Sequence, residues 1–206
     1  MLDQIILLAT GLTAIYLIWR FVQDYRRKGK PAHDIAYIVA FAVLLIAGLL
    51  LIGFGYGVLG SPLVVTVAVL IPAGIALGLV SEYTTKWRLA YLIFAIVGLV
   101  AIAVTRFTGP ALVATIILVI VHSVSGLLIF ALPIVAVNKG TAPSGFIGVT
   151  VGGALIGIGG IAMAALKTGG QLLFFSAPVV FAILAPLLLL MTLAFTWGFV
   201  KKIKAA

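Results

Sequence analysis

At 206 residues, with 65% hydrophobic and only 8% charged side chains, the chain is too apolar for a soluble domain, which excludes water-soluble enzymes and binding modules. Its formal charge of +9 does not make nucleic acid a partner, because the basic residues fall between apolar runs, at the level of lipid headgroups. The absence of cysteine excludes a disulfide framework, a thiolate metal centre and a cysteine nucleophile.

A mean hydropathy of +1.39 directs attention to runs of about 20 apolar residues, the length a helix needs to cross a bilayer core. The first run spans Gln4 to Phe21. Asp3 precedes it and Arg26-Arg27-Lys28 follows, the reverse of a secretory signal's charge order, so it is expected to be a retained helix. The second opens at Asp34, expected as its N-cap, and runs to Tyr56, where Gly53, Gly55 and Gly60 loosen the chain. The third extends from Pro62 to Glu82 and the fourth from Arg88 to Arg106. The fifth is Ala111 to Asn138, the sixth Gly145 to Leu166, and the seventh Leu172 to Val200.

Charge asymmetry orients these spans. With the amino terminus outside, eleven of the thirteen Lys and Arg residues fall at inner ends and loops, and only Arg106 and Lys167 lie outside. Trp19, Trp87 and Trp197 all fall at the same inner boundary, as an interfacial aromatic belt requires. The expected fold is therefore an all-α integral membrane protein of seven transmembrane helices forming a single domain over 1–206. One helix leads and three hairpins follow, with the carboxyl terminus inside. Residues 35–51 laid over 89–105 match Ala36 with Ala90, Tyr37 with Tyr91, Val43 with Val97, Leu45 with Leu99 and Ala47 with Ala101. Chance similarity of apolar helices and a parallel repeat of hairpins both account for this.

His122 is the ionisable residue farthest from the ends of any span, about 12 residues from one end of the fifth and about 16 from the other. An ionisable group at the midplane costs free energy unless it has a partner or a task. Thr115, His122, Gly126, Ile129 and Pro133 share one helical stripe, and Ser123 and Ser125 flank it, so Thr115, His122, Ser123 and Ser125 form a candidate intramembrane polar site. One reading is a proton-sensitive gate, a ligand contact or an axial haem ligand. The other is a neutral imidazole donating to a serine or carbonyl of a neighbouring helix. His33 lies at the inner boundary, roughly 24 Å of helix rise away, so the two histidines are not expected to share a metal or a haem. His33-Asp34 reads as a loop and a cap, no metal site is expected, and no cofactor is assigned.

Glu82 is the only glutamate, and Thr66, Leu70, Gly74, Gly78 and Glu82 recur every four residues along the third span. Gly74 and Gly78 form a GxxxG pair that admits a close helix. Glu82 reads either as a cation or proton acceptor at an inner mouth, or as a snorkelling carboxylate paired with Lys86 or Arg88. In the sixth span Gly148, Gly152, Gly153 and Gly157, with Gly159, Gly160, Ala154, Ala162, Ala164 and Ala165, make a packing surface available to another subunit. Pro72, Pro133 and Pro186 free the carbonyls of Ala68, Ile129 and Ala182 inside their spans.

No catalytic triad is expected, since no Asp lies inside a span and the histidines are far apart. No lysine lies between Leu172 and Val200 to form a retinal Schiff base. Two functions remain: a non-catalytic subunit or scaffold of a membrane complex, energy-converting in type, packing against helices, lipid or quinone; or a small channel or transporter with His122 at the midplane and Glu82 at the inner mouth. The expected partners are the lipid bilayer and other membrane subunits or further copies of the chain, and the expected location is the plasma membrane.

Overall fold

The computed structural model describes residues 1–167 and 176–205, with the side chains of 164–167 excepted. Among the described residues eight α-helices follow in order: α1 Leu2–Arg27, α2 Ala32–Phe54, α3 Pro62–Ala68, α4 Leu70–Tyr83, α5 Arg88–Thr108, α6 Ala111–Asn138, α7 Ile147–Lys167 and α8 Ala177–Ala205. α3 and α4 make one span, Pro62–Tyr83, so among the described residues seven helical spans are long and apolar enough to cross a membrane. The step between them falls at Val69, next to Ala68, whose carbonyl Pro72 leaves without its helical amide.

Several expected boundaries move. α2 begins at Ala32, with Pro31 before it, so Asp34 lies inside the first turn, fully buried, and caps nothing. α1 runs past Phe21 to Arg27, and α8 runs past Val200 through Lys201, Lys202 and Lys204. The expected start at Leu172 lies outside the described residues, as do the side chains of the packing residues Ala164 and Ala165.

The hairpin partners α2 and α4, α5 and α6, and α7 and α8 all pack on one another. α1 also packs on α2 and α8, α4 on α6, and α6 on α7, so six spans close into a ring in the order α1, α2, α4, α6, α7, α8. α5 stands outside it, against α3, α4 and α6. One end of the bundle carries the α1–α2 turn, the α4–α5 and α6–α7 connections and the end of α8; it holds most of the Lys and Arg residues and is termed here the basic end. Trp19, Trp87 and Trp197 are exposed there.

Lipid tails are as apolar as leucine, so close packing and polar contacts hold such a ring together. Near the basic end its centre is filled by fully buried rings. Tyr37 lies 4.9 Å from Phe21 and 4.7 Å from Phe199 between ring centroids, with Phe41, Phe146 and Phe195 beside them. Small residues bring the backbones together. Gly74 sits over Ala40 and the Ala36 carbonyl, and a Cβ at Gly78 would enter the Tyr37 ring. Gly148 meets the backbone of Ala194 and Gly198, Gly152 lies under Phe195, and Gly153 touches Ile129 and Phe130. Gly148, Gly152, Gly153, Gly159 and Gly160 are therefore packed within the chain, nothing lies within 4 Å of Gly157, and Ile147, Val151, Ile158 and Ile161 leave another face of α7 exposed.

Candidate functional sites

His122 is held by α6 against α7. Its imidazole occupies a notch that exists because position 160 is glycine, since a Cβ there would overlap the ring. Nε2 stands 3.5 Å from the Ile156 carbonyl, one turn before Gly160. A carbonyl only accepts, so a hydrogen bond here requires the tautomer with the proton on Nε2. At that length the bond is weak, and the N–H is open to a better acceptor.

Beside the imidazole is a cavity of about 270 Å³ walled by α3, α6, α7 and α8. Val65, Leu118, Leu184 and Met191 are among its aliphatic lining, and His122 and Ser123 are its polar side chains among the described residues. Val119, Ser123 and Ile161 are exposed, so among the described residues the cavity has an opening on the α6–α7 side of the bundle.

The other two residues of the expected polar group do not join it. Thr115 is buried and donates to Ala111 O of its own helix at 2.9 Å. Ser125 donates to Val121 O at 2.7 Å and accepts from the Tyr91 hydroxyl at 2.8 Å, a short relay from α5 into α6.

Glu82 has different neighbours from those its sequence spacing offers. α4 ends at Tyr83, Thr84 leaves helical geometry at φ −140°, and a tight turn over Thr85–Trp87 carries Lys86 to the Trp87 ring. The i,i+4 pairing requires an unbroken helix, so it is not made. Instead Lys202 Nζ lies 2.6 Å from Glu82 Oε2, and the Tyr37 hydroxyl donates to the same oxygen at 3.0 Å. Lys202 is 4% exposed and sits over the faces of Tyr37, Phe199 and Phe146, with its charge 5.1 Å from the nearest ring centroid. Aromatic faces favour a cation placed so.

Further acids surround the pair. Asp24 is buried on α1 and bound by Arg27 at 3.1 Å and Lys28 at 2.9 Å. Among the described residues the Asp34 carboxyl is buried without a hydrogen-bond donor, and His33 Nε2 lies 3.6 Å from it; that same nitrogen is 3.9 Å from Glu82. Three carboxylates, Asp24, Asp34 and Glu82, thus face three cations, Arg27, Lys28 and Lys202, with His33 among them. Among the described residues no three His, Asp or Glu side chains converge as a metal cage would need.

Lys202, Tyr37, Asp24 and Gly160 carry these sites; the sequence marks Gly160 only as a packing residue and Tyr37 only in the helix match, and it gives Lys202 and Asp24 no site role. For Lys202 a signal existed: Phe195, Phe199 and Lys202 share one helical face, joining the lysine to the buried rings rather than to the basic tail. Compared with protein-family models, with curated proteins and with solved structures, the chain matches none.

Proposed function

We propose that this protein is a non-catalytic subunit of a membrane complex whose own contribution is to seat a lipid or quinone beside His122. The observation that carries this reading is the chamber itself, an apolar cavity with a side opening and the polar groups of His122 and Ser123, the usual composition of a small-molecule site. A quinone carbonyl or lipid ester is a suitable acceptor for the Nε2–H that the Ile156 carbonyl holds only weakly. The charge distribution supports a plasma-membrane orientation with the basic end inside.

The ion pair bears on the channel alternative. Glu82, the expected inner mouth, is occupied by Lys202 and Tyr37 among packed rings, which favours binding over conduction.

The test is extraction and mass spectrometry of lipids and quinones retained after purification into nanodiscs, with wild type beside His122→Leu. One species at near-equal stoichiometry in the wild type, lost from the variant while the fold persists, is the expected result. Equal retention in both proteins would sink the proposal.

A further inference from the structure

A second recess lies at the basic end, in the seam between α1 and α8. It has a volume of about 540 Å³ and is lined by Arg20, Gln23, Asp24, Arg26, Arg27 and Ile203. Positions 20, 23, 24 and 27 share one face of α1, so the sequence aims two arginines and a glutamine amide into one cleft, with Arg26 at its edge.

The charges inside it are unbalanced. Asp24, the acid in the lining, is already bound by Arg27 and by Lys28, and Arg27 also donates to the Ile203 carbonyl at 3.2 Å. Arg20 has no such partner: its Nε–H is buried and bonded to nothing among the described residues. An unsatisfied buried donor on a cation is costly, and an oxyanion is the group that would satisfy it. The cleft also sits at a defined depth. Trp19, the residue before Arg20, is exposed at the bundle end where the tryptophans gather. From there exposed Tyr16, Ile15 and Leu12 continue along α1 toward the midplane.

We infer that this cleft binds the phosphodiester headgroup of an anionic phospholipid, with the acyl chains lying along the exposed apolar surface of α1. Basic pockets between membrane helices take such headgroups through charge and through the fork of the guanidinium. The inference is independent of the reading at His122, since the two cavities share no lining residue.

Lipid titration of the purified full chain, followed by native mass spectrometry, tests it. Phosphatidylglycerol is expected to bind more tightly than phosphatidylcholine. The variant Arg20→Gln/Arg26→Gln should lose about fivefold in phosphatidylglycerol affinity per arginine removed. Neither arginine makes a hydrogen bond to Asp24, so the pairing there should survive. A control variant, Lys86→Gln/Lys139→Gln, removes the same charge from the basic end outside the cleft and should bind as wild type does. Inorganic phosphate in excess should not displace the lipid. Equal affinity for the two lipids, an equal loss in the control, or displacement by phosphate alone would each overturn the assignment, the last by marking a site for a soluble anion.

Discussion

Lys202 Nζ rests against Glu82 Oε2 at 2.6 Å across 120 residues of sequence. Their helices, α8 and α4, stand opposite one another in the ring of six, so this ion pair crosses its centre. Removing one partner strands the other charge among aromatic rings. Lys202→Met or Glu82→Gln alone should cost about 2–3 kcal/mol, below the range for a fully buried pair because the Glu82 side chain keeps 18% of its exposure. The double variant Lys202→Met/Glu82→Leu should melt closer to wild type than either single variant. Thermal denaturation in detergent decides it: additive losses would mean the two charges act separately.

The glycines of α4 and α7 separate by what they touch. A Cβ at Gly78 enters the Tyr37 ring, and Tyr37 in turn holds Glu82. Gly78→Ala should therefore destabilise by about 1–3 kcal/mol, the cost of overpacking. Gly157→Ala meets nothing within 4 Å and should gain slightly from helix propensity. Parallel melting curves of the two variants check the contrast.

Gly160→Ala should displace the imidazole of His122 from its notch. If steric overlap with the ring is the cause, adding His122→Ala should restore the stability lost by Gly160→Ala, a coupling of about 1–2 kcal/mol in a double-mutant cycle. Independent effects would show that the notch has another tenant.

At the other end of the bundle the Tyr56 hydroxyl donates to Asp3 Oδ2 at 2.9 Å. Partial burial, then the bond to Asp3 and its charge, push the phenol up to about 12. A raised tyrosine contributes stability that is complete below the unfolded value near 10 and is lost as pH climbs through 12. The difference in phenolate absorbance between wild type and Tyr56→Phe should isolate one tyrosine titrating late, and the variant should lack the stability lost over the same interval.

Much of this architecture is legible in the sequence because hydropathy, proline and charge act locally. Seven spans, the tryptophan end and the break near Pro72 follow from residues within a turn or two of each other. The ion pair does not. From Glu82 the sequence offers partners at 86 and 88, whereas the chosen lysine is brought in by ring closure. Asp34 illustrates the same limit: an Asp before an apolar run resembles a cap, and only the packing of α2 against its neighbours buries it. His122 stands out by chemistry, but the residue that makes room for it is one glycine among many.

The seam between α1 and α8 sets the order in which the bundle can be built. α8 is the last of these helices to leave the ribosome, and it closes the ring by laying Phe199 on Phe21 and offering the Ile203 carbonyl to Arg27. Until then the seam face of α1 has no protein neighbour, and Glu82 has no counter-charge from α8. Without α8 the other five spans of the ring make an open, unlatched horseshoe, which α8 closes. Truncations within α8 should accumulate as that unlatched species, a substrate for membrane quality control rather than a smaller functional protein.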